Sequence, residues 1–484
     1  MAVAVASAER LARFAAGVDW ESLPVDARAA AKLLVLDTLV CIVAGTAVEP
    51  RTSRLTAAML RTAGVGRSAV AGEAERMDAA TAAALNSEFG GALSAQESLF
   101  FSHTANLHLA TALAVAEQEG RSGVDVLEAF VAGFEVSGAL HLARRPPLPP
   151  QTPVAEFQPS RNEYMTIGAA VAAAVALGED EATVAHALSI AAALAPGDGG
   201  NVAPLADVNY CDYASKARAA VDAAHRAAAG LTGRLECVDE KLLAGVQHPI
   251  PSFEDLGRVW SVTQTSIKFF PGCRFISGPI GAFAAIVRDE GLRAGEIDAV
   301  EVRVSALALS NPKIPRVFDP DPADAADPLN LVFNAPYHAA LVAHGVEPGP
   351  EWYDARTRAR ADVVSFLPRV RVVEDPAMSE RLRDAAAAER HGRVAFSGGA
   401  GVVVRARGSV FTASCDYVRG DPVRGAPAAA YDEVVAKAHG FLDPILGVAQ
   451  VARLCEAAAR LDEIEDLAEL TGLLGARRLP AASL

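Results

Sequence analysis

Residues 27–44, ARAAAKLLVLDTLVCIVA, decide the fold class of this chain. Apolar side chains recur there at spacings of three and four residues, which is the period of an α-helix. The same period continues in later segments, where many residues are alanine, whose small side chain lets helices pack closely. These segments are His108–Glu119, Val124–Leu142, Ile167–Leu177, Ala182–Leu194 and Ala214–Gly230. The first half of the chain is therefore predicted to form a bundle of helices.

The hydrophobic period changes after about residue 255. Val300, Val302 and Val304 alternate with other residues, which predicts a strand within Ala299–Leu307. Helical segments, Gly278–Glu290 and Pro336–His344, alternate with the strands. Further strands are predicted at Val370–Val373, Gly401–Arg407 and Val410–Cys415, the last two joined by a hairpin turn at Ala406–Ser409.

From Ala429 to Leu474 the helical period returns. We therefore predict a mostly α protein, in which an all-helical bundle domain is interrupted by a smaller α+β lid domain. The predicted parts are residues 1–265 for the first part of the helical domain, 266–425 for the lid, and 426–484 for C-terminal helices that rejoin the helical domain.

Composition narrows the class of function. The chain has 484 residues, 51% hydrophobic and 21% charged, with a net charge of -15. An acidic chain is not expected to bind nucleic acid or an anionic membrane, because both attract basic surfaces. The apolar stretches are shorter than the roughly 20 residues of a membrane-spanning helix. Six scattered cysteines without a Cys-x-x-Cys pair indicate a reducing compartment. We expect a cytoplasmic protein that acts on a small molecule.

The common motifs for nucleotides, zinc proteases and α/β-hydrolases are absent, since the sequence holds no GxxxxGK[ST], HExxH or GxSxG. No cluster of cysteine and histidine has metal-site spacing, so no metal site is expected. The candidates for a catalytic or binding role are therefore short stretches of sequence that bring several polar side chains together.

The first such group is Glu97-Ser98-Leu99-Phe100-Phe101-Ser102-His103. It places a carboxylate, hydroxyls and an imidazole in one short loop before an alanine-rich helix, and histidine can exchange a proton near neutral pH. The alternative is a helix-capping segment, with Ser102 or Thr104 as the cap and the two phenylalanines anchored in the core.

The second group is Lys268-Phe269-Phe270-Pro271-Gly272-Cys273-Arg274, where the helical pattern gives way to the mixed one. Cations at such a junction can hold a carboxylate or an enolate. The alternative is a solvated turn in which Cys273 only packs. A third group, Phe333–His338, puts Tyr337 in the first turn of a helix, and an ordinary capped helix explains it equally well.

Several motifs occur in an order that resembles one known family over almost the full chain. They are Ala29–Leu39 with Ala44-Gly45, Asn86 with the His103 loop, Ala114–Glu117, Gly123–Glu135, Lys268–Arg274, Phe333–Tyr337 and Tyr417–Pro422. The family they resemble is MmgE/PrpD, cofactor-independent lyases that include 2-methylcitrate dehydratase and cis-aconitate decarboxylase. The resemblance implies a homodimer with an active site between helical domain and lid, and no metal or coenzyme.

The resemblance also implies roles for individual residues. His103, Lys268, Tyr337 and Glu97 would be catalytic. Ser98, Arg274, Cys273, Gln158, Phe100, Phe101, Asn86 and Lys216 would bind substrate. The chain departs from the family pattern at Ser94, where an aspartate is common, and at Gln158 and Ser277, where histidines are common. Thr104 stands where a proline commonly follows the histidine, and Lys216 lies one position from a lysine that some relatives use.

These departures remove titratable groups, and Phe100 and Phe101 add apolar surface. We therefore expect a dehydratase- or decarboxylase-like lyase that transfers a proton next to a carboxylate or carbonyl of a substrate less polar than 2-methylcitrate, a substrate type of specialised metabolism. Two alternatives stay open. One is an isomerase, epimerase or cyclase of the same fold, and the other is a non-catalytic homologue.

Overall fold

The computed structural model describes residues 6–49, 51–99, 102–144, 163–196, 212–247, 249–311, 314, 331–388, 399–422 and 429–475. Its first half is a bundle of helices around one apolar core, with one short strand, β1 (Val65–Ser68). The helices are α1 (Ser7–Ala16), α2 (Val25–Gly45), α3 (Arg51–Leu60), α4 (Ala79–Gly91), α5 (Ala105–Glu119), α6 (Gly123–Ala143), α7 (Glu163–Leu177), α8 (Glu181–Leu194), α9 (Asp212–Ala228) and α10 (Pro251–Glu254). The six helices predicted from the sequence are confirmed, with ends that differ by a few residues.

Helix α2 lies in the centre of the bundle. Every residue from Leu33 to Gly45 is buried, because the helix is apolar on all sides and no face prefers water. Helices α6 and α7 also run through the core, and they cross where Gly133 faces Gly168. A Cβ atom at Gly133 would lie 2.5 Å from the carbonyl oxygen of Gly168, so the small residues permit this close approach.

One described helix, α6, is long and apolar enough to cross a membrane. Its most apolar stretch is 83% buried inside the protein, which is the pattern of a core helix. The prediction of buried core helices rather than membrane spans agrees with this burial.

The second half contains a small mixed sheet in the order β3-β2-β4-β5. β2 (Ile297–Val304) pairs in parallel with β3 (Val370–Glu374), whereas β4 (Ala400–Ala406) is antiparallel to β2 and to β5 (Ser409–Cys415). The hairpin turn at Arg407-Gly408 is confirmed, with φ of 52° and 72° at these two residues. Buried valines on one face of β2 and β4 lie against a long helix, α11 (Arg274–Asp289).

The other helices of this half are α12 (Ala306–Ser310), α13 (Ala335–Ala343), α14 (Ala355–Arg358), α15 (Ala361–Phe366) and α16 (Pro376–Ala388). The predicted strand Ala299–Leu307 is wrong at its end. Ser305 accepts a hydrogen bond from the backbone N–H of Ala308 and starts α12 there, so the strand stops at Val304.

The chain ends in α17 (Tyr431–Leu446), α18 (Val448–Ala459) and α19 (Ala468–Thr471). Helices α17 and α18 pack against α2 of the first half. The mostly α fold with a smaller α+β region is therefore confirmed, while the domain limits at residues 265 and 425 stay a prediction. The proline-rich segment Arg144–Pro153 and the glycine-rich segment Pro196–Gly200, whose composition predicts loops, lie largely outside the described residues.

Candidate functional site

The loop between α4 and α5, residues 92–104, carries the predicted histidine. Ser94 has a φ of 52°, a conformation that residues other than glycine rarely adopt. Leu99 and Ser102 exchange two backbone hydrogen bonds of 2.9 Å, which turn the chain back on itself just before His103. The hydroxyl of Tyr164 donates to Ser102 Oγ at 2.7 Å and ties this turn to α7.

His103 is held in one tautomer by its main hydrogen bond. Its Nδ1 lies 2.5 Å from the carbonyl oxygen of Glu97, and a carbonyl can only accept, so Nδ1 carries the proton. In the neutral ring Nε2 then keeps a lone pair. Burial, together with the charges of Lys268 and Arg274, lowers the pKa of His103 to about 3, against the hydrogen bond to Glu97, which raises it. The imidazole is therefore neutral at pH 7 and able to accept a proton.

Glu97 holds the same loop through its side chain. Its Oε1 accepts from the backbone N–H groups of Thr104 at 2.6 Å and Ala105 at 2.8 Å, so the carboxyl group caps the start of α5. Of the two expected caps, Thr104 does occupy the cap position, but its side chain makes no capping hydrogen bond, and the Glu97 carboxyl group accepts the bonds instead. Burial raises the pKa of Glu97 to about 7, although the two backbone bonds act against it. Within the described residues its Oε2 has no hydrogen-bond partner.

The Lys268–Arg274 turn lies directly against this loop. Ser98 and Ser266 exchange two backbone hydrogen bonds of 2.9 Å, and the N–H of Gly272 donates to the carbonyl of Leu93 at 3.0 Å. Gly272 has a φ of 105°, which suits glycine. The structure thus brings the two groups that the sequence singled out into contact.

Lys268 is buried in this contact. Its ammonium group donates to the carbonyl oxygens of Ser94 at 2.5 Å and Gly272 at 3.4 Å. Burial lowers its pKa to about 8, while the nearby groups of Cys273 and Glu97 act in the opposite direction. The ammonium has three N–H bonds, and these two carbonyls accept two of them.

Arg274 is paired with a residue that the sequence analysis did not assign a role. Its guanidinium contacts Asp421, which also accepts from Ser266 Oγ at 2.8 Å and from the backbone N–H of Val418 at 2.9 Å. Among the described residues Arg274 Nε has no hydrogen-bond partner, so one donor stays free. Asp421 belongs to the Tyr417–Pro422 motif, which was the available sign of its importance.

Other predicted residues have different surroundings. The Tyr337 hydroxyl donates to the carbonyl of Trp352 at 2.5 Å, and burial raises its pKa. The Asn86 side chain bonds the backbone of Ala69 and Ala71, each at 2.9 Å. Among the described residues, neither polar group makes a hydrogen bond to the His103 loop or the Lys268–Arg274 turn. Their roles in the site stay predictions.

Lys216 is buried and ion-paired with Asp212 at the start of α9. That helix reaches the site through Tyr213, whose hydroxyl donates to the carbonyl of His103 at 3.0 Å. The sequence analysis missed Tyr213, because nothing in its neighbourhood marks it. The hydroxyl of Ser277 donates to the carbonyl of Arg274 at 3.2 Å. Phe100, Phe101 and Gln158 lie outside the described residues.

The described residues contain no group of three or more histidine, cysteine, aspartate or glutamate side chains that could hold a metal ion. The polar groups that converge are one neutral imidazole, one ammonium, one guanidinium and two carboxyl groups, of Glu97 and Asp421. Chemically, this set can accept a proton and stabilise negative charge near the acceptor.

The sequence of the chain matches the two domains of one known enzyme family. The MmgE/PrpD N-terminal domain matches residues 9–247, and the MmgE/PrpD C-terminal domain matches residues 270–463. The chain therefore belongs to the MmgE/PrpD family, whose members are generally lyases of the dehydratase type. None of the curated proteins compared with the chain matches its sequence.

Proposed function

We propose that the protein is a cofactor-independent lyase that moves a proton next to a carboxylate or carbonyl group of its substrate. The observation that carries this proposal is the tautomer of His103. Its Nδ1 is held by the carbonyl of Glu97, so Nε2 is the basic nitrogen, and Lys268 and Arg274 are near enough for their charges to lower its pKa.

In the proposed reaction, His103 Nε2 removes a proton from the carbon next to a substrate carboxylate. The electron pair moves into the carboxylate and forms an enolate, and the positive charges of Lys268 and Arg274 stabilise its negative charge. The enolate then collapses, a double bond forms, and a β-hydroxyl group leaves as water with the proton that His103 returns. In a decarboxylation the electron pair would come from carbon dioxide loss instead, and His103 Nε2 would first take up a proton from solvent and then transfer it to the carbanion.

The low pKa of His103 in the free protein has a consequence for this step. A base with a pKa of about 3 binds a proton weakly, but a substrate carboxylate would counter the positive charges of Lys268 and Arg274. An added anion favours the imidazolium form and raises the pKa of His103. Binding of an anionic substrate would thus turn a weak base into an effective one, and only when the substrate is present.

The isomerase or epimerase alternative has one observation in its favour. The hydroxyl of Tyr337 is engaged by the carbonyl of Trp352, so the lid side offers less help for a leaving group than the family resemblance implied. A reaction that only moves a proton needs one base and one anion site. A non-catalytic homologue fits less well, because His103 has cationic neighbours suited to an anion.

The test uses the purified protein in deuterated water with β-hydroxy acids of increasing apolar bulk, and with 2-methylcitrate and cis-aconitate as polar references. The proposal expects loss of water or carbon dioxide from a less polar acid, and a decrease of about 10²–10⁴-fold in His103→Ala. Deuterium incorporation without loss of mass would instead establish the isomerase. Near-normal turnover in His103→Ala would remove His103 from the mechanism.

Two further parts of the proposal need separate measurements. The preference for a less polar substrate depends on Ser94, Gln158 and Ser277, and fast turnover of 2-methylcitrate would contradict it. Assembly as a homodimer is tested by the mass of the protein in solution, where a monomer would be the contrary result.

A further inference from the structure

A second buried lysine, Lys437, also binds the loop that Lys268 contacts. The ammonium of Lys437, on α17, donates to the carbonyl of Ala95 at 2.9 Å and to the carboxylate of Asp37 at 2.6 Å. Its third contact is Cys41 Sγ at 3.8 Å. The side chains of Lys437 and Asp37 are 1% and 0% exposed, so this is an ion pair inside the core.

The positions of the two lysines are related. Lys268 donates a hydrogen bond to the carbonyl of Ser94, and Lys437 donates one to the carbonyl of the next residue, Ala95. Ser94 itself has the left-handed φ of 52°. A residue other than glycine keeps such a conformation only where the surroundings determine it, and here two ammonium groups hold the peptide groups that follow it.

The loop continues from Ala95 directly into the groups that orient His103. Only Gln96 separates Ala95 from Glu97, whose carbonyl fixes Nδ1 of His103 and whose carboxyl caps α5. The charges are also near each other, since Asp37 raises the pKa of Glu97 and Lys268 lowers that of Asp37. A shift of the Ala95 carbonyl would therefore move the base.

We propose that Lys437, with Asp37 as its counter-ion, is a positioning residue for the candidate site. It acts through the carbonyl of Ala95 on the loop that presents Glu97 and His103. This inference rests on the proposed function for its effect on turnover, but its effect on the loop stands independently of the reaction.

The test must separate loop positioning from plain stabilisation. Lys437→Met alone leaves the buried carboxylate of Asp37 unpaired, so it is expected to destabilise the protein. The double variant Asp37→Leu/Lys437→Met removes both charges, and replacing a buried ion pair with apolar residues is often tolerated. It restores the fold without restoring the bond to Ala95. Lys32→Met is the matched control, because Lys32 lies on α2, the helix that carries Asp37, and pairs with Asp462 at 2.6 Å rather than with the loop.

Hydrogen exchange at the amides of Thr104 and Ala105 and the ¹⁵N resonances of His103 report on the loop without any substrate. In the folded double variant we expect exchange at least tenfold faster, mixed tautomers of His103, and kcat lowered about 10–100-fold with a smaller change in KM, since small displacements of a catalytic group have effects of this size. Lys32→Met should change none of these quantities.

Unchanged exchange and an unchanged tautomer in the double variant would overturn the inference, and so would a loss of kcat without a change in the loop. If the native protein turns over none of the acids tested, the proposed function fails, while exchange and tautomer still decide the role of Lys437.

Discussion

Replacing Glu97 with glutamine tests how the site is held together. An amide oxygen can still accept the two backbone hydrogen bonds that cap α5, but the side chain no longer titrates. In the native protein burial raises the pKa of Glu97 from 4.5 to about 7. At 1.36 kcal/mol per unit of pKa, this difference corresponds to about 3 kcal/mol.

The sign follows from proton binding. Between these two pKa values the folded protein holds a proton that the unfolded chain has released, so stability is present below pH 4.5 and is lost as the pH rises through about 7. Glu97→Gln lacks this loss. The difference in unfolding free energy, variant minus native protein, should therefore increase by up to about 3 kcal/mol from pH 5 to pH 8. Urea unfolding at a series of pH values measures this difference.

Glu135 supplies a matched control for this experiment. It is also buried, its pKa is also raised to about 7, and it accepts from the backbone N–H groups of Ser261 and Val262 at 2.8 and 3.0 Å. Glu135→Gln should show the same dependence on pH without changing the tautomer of His103. A stability difference for Glu97→Gln that is constant with pH would refute the assigned ionisation of Glu97.

The turnover of two Glu97 variants shows whether this residue only positions the loop or also transfers a proton. Glu97→Ala leaves the buried N–H groups of Thr104 and Ala105 without partners, at a cost of roughly 1–3 kcal/mol each, and releases the loop. It should therefore lower turnover more than Glu97→Gln does. Equal losses in two folded variants would show that the carboxyl group takes part in the chemistry itself.

Three further predictions concern the surrounding groups. Gly272→Ala should destabilise the protein by at least about 1–3 kcal/mol in thermal unfolding, because φ is 105° and the new Cβ would clash with the ring of His338. The value of kcat/KM should not change from pH 5 to pH 7 and should fall above about pH 8, as Lys268 loses its proton. At acidic pH, kcat should begin to fall at a higher pH than kcat/KM does, because bound substrate raises the pKa of His103. Tyr337→Phe should lower turnover far less than His103→Ala, and should destabilise the protein by roughly 1–3 kcal/mol because a buried carbonyl loses its donor.

The sequence predicted most of the fold because its helices have strong periodicity. Where local chemistry competes with that pattern, the prediction failed. Ala306 continues the alternation of Val300, Val302 and Val304, yet Ser305 caps a helix that begins at Ala306. Helix α4 was not predicted, although Asp78 caps it by accepting from the N–H of Thr81 at 2.9 Å. Its alanine-rich sequence is buried on nearly every side, polar residues such as Asn86 and Glu88 included, so it shows no clear hydrophobic period.

For the candidate site, the sequence identified groups but not their partners. Glu97 and His103 were found because they are close in the chain, and contact between their loop and Lys268 followed from the family resemblance. Tyr213, Asp421 and Lys437 could not be found in the same way. Each is brought in by a different distant segment, and a single lysine or tyrosine in an amphipathic helix has no local mark of such a role.

The arrangement explains why so many charged groups are buried around one loop. The described residues between 92 and 104 have little secondary structure of their own. Hydrogen bonds from side chains of α7, α9, α17 and the Lys268–Arg274 turn hold them in place. Buried ion pairs such as Asp37 and Lys437 contribute little to stability compared with apolar residues of the same size. Their value to the protein is then the fixed geometry of the loop. Since a proton acceptor displaced by about 1 Å loses much of its effect, we expect variants that remove both partners of a buried ion pair, such as Asp37→Leu/Lys437→Met, to affect turnover more than stability.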